Sequence, residues 1–307
     1  MLIDESGLRA CLAEQWGLRD VQVDVHNGGM GSATWYVARG SDRWVAKAVD
    51  PALGAQFAGG LSVATILDAT DIPAGAPVPT LDGRSVVTVD AHPTALLTWV
   101  EGRALTGTGN GDQRIMGETL ALVHQALRGV SVDRVQRFHW VRPEAGHLSI
   151  RPWIRPAVTA AVRALEALGA ASLTWGLLHC DPAPEHFRLD ASSGRCGLID
   201  WSVALEGPLL YDLASAVMYV GGLSCADQLV AAYLGRGALT AAEVEAALPV
   251  MLRFRWAVQA DYFARRIAEH DLTGITGPAD NEQGLEDARR GLSLGGWSQG
   301  TEGGPAV

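Results

Sequence analysis

Two segments in the second half of the chain each present a carboxylate in a setting that could do chemistry. Asp181 follows His179 and precedes Pro182 and Pro184, and two prolines so close together favour a fixed loop over a helix. Asp200 ends an apolar, strand-like run. A carboxylate on a rigid loop can accept the proton of an attacking hydroxyl, and a second carboxylate can hold a divalent metal ion. Each could instead open or cap a turn, so the pair alone leaves both interpretations open.

Lys47 is the only lysine among the 24 lysine and arginine residues, and it lies in the apolar run Trp44-Val45-Ala46-Lys47-Ala48-Val49. An ammonium group is a compact point charge, whereas a guanidinium group is a wide planar fork. Lysine is a common phosphate ligand because of that point charge. We therefore expect Lys47 to contact a phosphate, with a lysine on the exposed face of a strand as the alternative.

A glycine cluster precedes Lys47 between two strand-like segments. It contains Gly28, Gly29 and Gly31 and is followed by Ser32. Glycine lets the backbone approach a ligand and point N–H groups at an anion, although a plain hairpin turn is the commoner meaning of such a cluster. A Gly-rich loop followed by a lysine on the next strand is typical of protein-kinase-like nucleotide sites.

The hydrophobic periodicity predicts two lobes, and the pattern changes at residue 101. The predicted fold class is α+β, with an N-terminal lobe over 1–101 and a mainly helical C-terminal lobe over 102–307. The N-terminal lobe should be a five-stranded antiparallel sheet. Its predicted elements are a helix over 2–17, strands over 21–25 and 34–38, the strand with Lys47, a helix over 52–69, an extended connector over 72–79, and strands near 84–89 and 94–100. The C-terminal elements are helices over 112–128 and 153–168, a hairpin over 187–189 and 196–199, mostly helix to about 270, and a polar tail from 272 with a loose end.

Three motifs in the second lobe follow one another in a specific order. They are His179-x-Asp181, Ile199-Asp200-Trp201 and Gly207-Pro208-x-x-Tyr211-Asp212-Leu213-Ala214. With these motifs, the chain from about 20 to 270 resembles the aminoglycoside phosphotransferase and choline kinase group, relatives of the protein kinases. The resemblance implies a two-lobed kinase-like fold and the ATP- and Mg²⁺-dependent transfer of a phosphoryl group to a hydroxyl.

The resemblance also implies a role for each matched side chain. Asp181 would be the catalytic base, Asp200 would hold Mg²⁺, and Lys47 would bind the α- and β-phosphates. His179 would brace the catalytic loop through a hydrogen bond. Asp212 would be structural, at a helix N-terminus.

Backbone groups would complete the nucleotide site in this resemblance. The backbone over 28–32 would cover the phosphates. The segment Leu97-Thr98-Trp99-Val100-Glu101 matches the hinge between the lobes. Its backbone, at Thr98 and Val100, would bind the adenine edge.

The chain departs from the family pattern at two positions. His186 stands where the family has an asparagine that binds a second metal ion, and imidazole is a poor ligand for Mg²⁺. His186 could contact the metal weakly, water could fill the position beside Asp200, or Glu185 could be recruited, and tolerance for Mn²⁺ is conceivable. The family's helix glutamate that pairs with the strand lysine is also missing, so Lys47 could be held by the amide of Gln56, by Asp200, or by nothing until nucleotide binds.

The acceptor pocket of this fold is formed by C-terminal helices. Glu206, Trp256 and Asp261 are our candidate substrate residues, because acidic and aromatic walls would suit a small cationic acceptor such as an aminoglycoside or another antibiotic. Acidic residues on surface helices more commonly serve solubility.

Composition argues against several classes of partner. The net charge is −10 and the pI is near 5.2, which disfavours nucleic acid and anionic membranes. No apolar stretch reaches membrane length, no charged leader precedes an apolar run, and the four cysteines are widely spaced. We therefore expect a cytoplasmic monomer or homodimer with free thiols and a small-molecule hydroxyl acceptor.

Two other functions fit parts of the sequence. The missing helix glutamate and His186 would also suit a nucleotide-binding module with weak or no catalysis. A zinc hydrolase could use His179, Cys180, Asp181 and His186, whose side chains are of the right types for Zn²⁺. No distant third-ligand motif such as H-E-x-x-H accompanies them.

Overall fold

The N-terminal lobe contains the five-stranded antiparallel sheet that the sequence predicted. A computed structural model describes residues 3–26, 30–138 and 141–293. The elements of this lobe are α1 (Glu5–Trp16), β1 (Gln22–His26), β2 (Ser32–Arg39), β3 (Asp42–Val49), α2 (Gly54–Asp68), β4 (Val87–Val89) and β5 (His92–Thr98). The strands are arranged in the order β1-β2-β3-β5-β4. Gly40, at φ +62°, makes the tight turn between β2 and β3.

Different helices cover the two faces of this sheet. Helix α1 buries Leu12 against one face, together with Ala46 of β3. Successive residues of a strand alternate between faces, so Lys47 projects from the opposite face. There it is paired in register with Ala95, which packs with Phe57 of α2. The sheet therefore directs the ammonium group of Lys47 towards α2 and the C-terminal lobe.

The C-terminal lobe is mainly helical, with two small sheets near the N-terminal lobe. Its elements are β6 (Arg103–Ala104), α3 (Asn110–Ala126), β7 (Gln136–Arg137), α4 (Ile154–Leu168), β8 (Trp175–Leu178), β9 (Phe187–Leu189), β10 (Cys196–Leu198), β11 (Leu205–Pro208), α5 (Leu210–Tyr219), α6 (Asp227–Gly235), α7 (Ala241–Ala268) and α8 (Pro278–Ser293). The small sheets have the orders β10-β9-β6 and β7-β11-β8. No helix in the described part of the chain is long and apolar enough to cross a membrane, and all four cysteines are free.

The glycine-rich region from 272 contains a helix that the sequence analysis missed. Helix α8 packs along α7, and its glycines mark the contacts. A Cβ atom on Gly284 would lie 2.2 Å from the ring of Phe263, and one on Gly291 would lie 2.2 Å from the ring of Trp256. These glycines reduced the apparent helix propensity, but their lack of side chains is what lets two aromatic rings of α7 seat against α8. The end of the tail, which was expected to be loose, lies outside the described residues.

The two lobes touch directly through backbone. Gly60 of α2 lies so close to the turn Trp201–Val203 that a Cβ atom would be 1.9 Å from the carbonyl oxygen of Trp201. Gly102, at φ +121°, crosses β9 with its Cβ position 2.4 Å from the carbonyl carbon of Leu189. Both positions need glycine, because Gly60 sets how closely the two lobes approach and Gly102 sets a close backbone contact within the C-terminal lobe. The boundary at residue 101 stays a prediction.

Candidate active site

Lys47 and Asp200 meet between the lobes although 153 residues separate them in the sequence. The Lys47 Nζ donates to Asp200 Oδ1 at 2.5 Å. Ser202 joins the pair, because its Oγ lies 3.2 Å from Lys47 Nζ and donates to Asp200 Oδ1 at 2.6 Å. Burial opposes ionisation of Asp200, but the Lys47 ammonium, His186 and the hydrogen bonds from Lys47 and Ser202 together hold the pKa of that carboxyl well below its usual value. The lysine therefore has a fixed partner that is not a helix glutamate.

The contact at Gly60 brings the backbone of helix α2 close to the loop that follows Asp200. Helix α2 contributes backbone, rather than an acidic side chain, at its closest approach to the loop after Asp200. Of the three possibilities that the sequence left for Lys47, the structure selects Asp200.

His179 joins the loop of Asp181 to the loop of Asp200. Its Nε2 donates to the carbonyl of Ile199 at 2.8 Å, and its Nδ1 accepts from the backbone N–H of Asp181 at 3.3 Å. The ring is fully buried and packs edge-on against Trp201. Burial lowers the pKa of His179, so the imidazole is neutral. A neutral ring has one nitrogen that donates and one that accepts, which matches these two bonds. This is the bracing role that the resemblance implied.

The Asp212 carboxylate binds the backbone of the loop that contains His179 and Cys180. Its carboxylate accepts from the backbone N–H groups of His179 and Cys180, each at 2.7 Å, and from His124 Nε2 at 3.1 Å. Cys180 has φ +71°, a left-handed conformation that costs free energy in a non-glycine residue, and the Asp212 bond helps to maintain it. Asp212 is structural, as predicted, and lies in the first turn of α5. Its carboxylate also binds the backbone of the loop that precedes Asp181.

Asp181 is contacted by two side chains that the sequence analysis did not identify. The Tyr219 hydroxyl donates to Asp181 Oδ1, and Arg255 NH2 lies 3.6 Å from the same oxygen. Arg255 is buried and also donates to Ser215 Oγ at 3.1 Å and to the Tyr219 hydroxyl at 3.3 Å. Desolvation and the Asp181 carboxylate raise the pKa of Tyr219 well above its usual value, so it remains a hydrogen-bond donor.

One sequence signal could have pointed to Arg255. It is an arginine within the otherwise apolar run Phe254-Arg255-Trp256-Ala257-Val258. A charge on the buried face of a helix needs a partner, and here that partner is Asp181. The choice of Asp181 depends on how α7 packs against α5, which the periodicity does not reveal.

His186 lies between the backbone of Asp181 and the carboxylate of Asp200. Its Nδ1 donates to the backbone carbonyl of Asp181 at 2.7 Å, which leaves the Nε2 lone pair 3.9 Å from Asp200 Oδ2. Among the described residues, no group of three or more His, Cys, Asp and Glu side chains is placed to hold a metal ion. A zinc hydrolase built on His179 and Cys180 therefore gains no support here.

The predicted adenine contacts are placed only in part. Thr98 ends β5, and its backbone N–H donates to the carbonyl of Ala76 at 2.9 Å. Val100 packs its side chain near Gly75 and Gly197. The amide of Thr98 therefore already has a partner in the connector.

Two of the four predicted loop residues can be located. Gly31 has φ +84°, in the left-handed region that favours glycine, and Ser32 begins β2 opposite Val49. Gly28 and Gly29 lie outside the described residues.

The three predicted acceptor residues have contacts elsewhere in the lobe. Glu206 is in β11, where its carbonyl accepts from Phe138. The Trp256 ring packs against α8 at Gly291, and Asp261 accepts from His147 Nε2 at 2.7 Å. Within the described ranges these three make no hydrogen bond or ion pair with Asp181, whereas Lys47 contacts Asp200, and His186 joins the Asp200 carboxylate to the backbone of Asp181.

Comparison with known proteins fits this arrangement. The model of the phosphotransferase enzyme family matches residues 23–246. The chain belongs to this family. The match spans both lobes and includes Lys47, Asp181 and Asp200, and it confirms the resemblance that the three motifs indicated.

Relatives among curated proteins are homoserine kinases. That of Sinorhizobium medicae (strain WSM419) is 29% identical over 193 residues, which cover 58% of this chain and 58% of that protein. That of Rhodospirillum rubrum is 31% identical over 157 residues, 48% of each chain. The chain thus matches less than two thirds of the length of these relatives.

Solved structures with a similar fold cover nearly the whole chain. A microcompartment-associated aminopropanol kinase superimposes with a TM-score of 0.75 at 19% identity, covering 95% of this chain and 96% of that one. Amicoumacin kinase gives a TM-score of 0.74 at 15% identity, with 95% and 93% covered. These likenesses confirm the predicted fold class, an antiparallel-sheet lobe joined to a helical lobe.

Proposed function

We propose that this protein is an ATP-dependent phosphotransferase that moves the γ-phosphoryl group to a hydroxyl of a small molecule. One observation carries the proposal: His179 binds the loops of both carboxylates while Lys47 reaches Asp200 from the other lobe. On this proposal the cation and the two carboxylates face one cleft. Membership of the phosphotransferase enzyme family supports the same reaction class.

The nucleotide half of the site would use Lys47 and Asp200. Lys47 would pair with the α- and β-phosphates, and the backbone over 28–32 would cover them. Asp200 suits a divalent ion because its pKa is held low, so that an ionised oxygen, Oδ2, is available beside the one that Lys47 occupies. The metal ion expected from the sequence is Mg²⁺, which Asp200 would hold and which would offset the charge of the phosphates.

The acceptor half would use Asp181. Its carboxylate would orient the acceptor hydroxyl and take its proton, while the bonds from Tyr219 and Arg255 fix the carboxylate in place. Transfer would then depend on positioning and charge stabilisation, with no covalent intermediate on the protein.

We propose a small amino alcohol as the acceptor, rather than the large cationic antibiotic that the sequence suggested. The homoserine kinase matches support this class. Arg255 places a buried positive charge next to Asp181, and Glu206 and Asp261 have no recorded contact with that centre. A polycationic acceptor gains nothing from such surroundings. The cytoplasmic location and the monomeric or dimeric state stay predictions.

The test is an acceptor panel of homoserine, aminopropanol, choline and several aminoglycosides. Purified protein is incubated with ATP and Mg²⁺ or Mn²⁺, and phosphorylated product is identified by mass spectrometry. We expect product with an amino alcohol and none with Asp181→Asn, which should still bind nucleotide in a calorimetric titration. Product with an aminoglycoside alone would restore the cationic class. Nucleotide binding without transfer to any acceptor would favour the binding module.

A further inference from the structure

The orientation of His186 is fixed by its surroundings. It ends the short helical turn Pro184–His186, in which its backbone N–H donates to the carbonyl of Ala183 at 2.9 Å. Its Nδ1 donates to the carbonyl of Asp181 at 2.7 Å. A carbonyl can only accept, so Nδ1 carries a proton, and in the neutral ring Nε2 then carries the lone pair. Rotating the ring away would break the bond to the loop of the base.

The free nitrogen faces the carboxylate oxygen that Lys47 does not bind. His186 Nε2 lies 3.9 Å from Asp200 Oδ2, whereas Lys47 occupies Oδ1. Nitrogen and oxygen ligands each lie about 2.1 Å from a small divalent ion, so one ion can bridge two such atoms up to about 4.2 Å apart. Neighbouring ligands of an octahedral ion lie about 3 Å apart, so both atoms can bind one ion after a small approach of the two loops.

The second bond of His186 has the form found at metal centres. Histidines that bind metals usually donate their other ring N–H to a carbonyl or a carboxylate, which fixes the tautomer and raises the basicity of the ligating nitrogen. His186 does this with the backbone of Asp181. The bond would be redundant if the ring only filled space, because the turn at Pro184 already fixes the backbone.

We infer that His186 Nε2 and Asp200 Oδ2 form a mixed nitrogen–oxygen site for the nucleotide's divalent ion, and that this site favours Mn²⁺ over Mg²⁺. Imidazole is a better ligand for first-row transition metals, whereas Mg²⁺ demands oxygen. Nucleotide phosphates and water would supply the remaining ligands. The inference rests on the proposed placement of the nucleotide metal at Asp200.

The decisive measurement detects the nitrogen directly. Protein labelled with ¹⁵N only at histidine is loaded with Mn²⁺ and β,γ-methylene-ATP, and pulsed electron paramagnetic resonance records ¹⁵N coupling to the manganese. We expect a directly coupled ¹⁵N in the wild type and in His147→Asn, whose ring also bonds an aspartate, Asp261, but not in His186→Asn. An uncoupled manganese in the labelled wild type, or no binding of Mn²⁺ with the nucleotide analogue, overturns the inference.

Ion selectivity gives an independent readout. The ratio of the Kd values for Mg²⁺ and Mn²⁺ in the presence of the analogue should fall by about tenfold or more in His186→Asn. An unchanged ratio contradicts the site. The analogue is not turned over, so the two proposals separate: coupling without transfer to any acceptor refutes the proposed function alone, and transfer without coupling refutes the metal site alone. If the asparagine variant does not fold, the labelled wild-type spectrum still decides.

Discussion

The two halves of the candidate site are built in different ways. The nucleotide half joins Lys47 of the sheet to Asp200 of the other lobe, over 153 residues of sequence. The acceptor half joins Asp181 to Tyr219 and Arg255, all within the C-terminal lobe. The contact between Lys47 and Asp200 forms only at the present separation of the two lobes. The contacts of Asp181 depend instead on the packing of α5 against α7.

This difference separates the two kinds of damage that a substitution can do. A change at the contact between the lobes should impair nucleotide binding and leave the base in place. A change around Asp181 should slow transfer and leave nucleotide affinity intact. His179 serves both halves, because its two ring nitrogens bind one loop each.

The largest effect is expected from Lys47→Arg. The planar guanidinium cannot reproduce the single short contact with Asp200, so kcat/KM for ATP should fall by about 10²-fold although the charge is kept. Steady-state kinetics measure this. Arg43→Lys is the matched control, because it is on the same strand, is exposed and pairs with Glu101 at the surface. Near-normal kinetics for Lys47→Arg would remove the lysine from the nucleotide half.

Gly60→Ala should affect the nucleotide half of the site, because it moves one lobe relative to the other. The added Cβ would stand 1.9 Å from the carbonyl oxygen of Trp201, so α2 must shift, at a cost of about 1–3 kcal/mol in stability and with weaker nucleotide binding. Chemical denaturation and calorimetry measure the two effects. Gly111→Ala, in a helix with open space around its Cβ position, should be neutral or stabilising by up to about 1 kcal/mol. Equal results for both variants would contradict the backbone contact.

Tyr219→Phe should affect only the acceptor half. Removing the hydroxyl deletes one hydrogen bond to the Asp181 carboxylate, so kcat should fall about tenfold while the Kd for nucleotide stays unchanged. Tyr262→Phe is the control, because its hydroxyl also accepts from an arginine of α7, Arg266, away from Asp181. A rise in the nucleotide Kd without a change in kcat would show that Tyr219 acts in the nucleotide half instead of the acceptor half.

The smallest effect concerns the pH dependence of stability, through the residue that both halves share. Burial and the neighbouring His186 lower the pKa of folded His179, whereas in the unfolded chain it is near 6.5. Below that pH the unfolded state binds a proton that the folded state does not. The contribution of His179 to the free energy of unfolding is therefore complete above pH 6.5. It is lost as the pH falls below that value, at about 1.4 kcal/mol per pH unit. Denaturation between pH 5.5 and 7.5 should give a smaller slope for His179→Gln than for the wild type, and equal slopes would refute the neutral brace.

Much of the fold could be predicted because its signals are local. Alternation, prolines and glycines located all five strands of the first sheet and the hairpin that carries Asp200. Helix α8 was missed for a physical reason. Gly284 and Gly291 lower helix propensity within the segment, and only the rings of α7 show why glycine is needed there.

The amino-acid sequence by itself determined the order and the types of the reactive groups, namely Lys47, Asp181, His186 and Asp200, since each stands in a short motif. Only the tertiary structure decided what each group touches. Tyr219 and Arg255 reach Asp181 across the packing of two helices, and Gly60 brings helix α2 close to the loop that follows Asp200, the partner of Lys47. Such contacts join residues far apart in the chain, so no local pattern encodes them, and they exist only once the helices and the two lobes have packed.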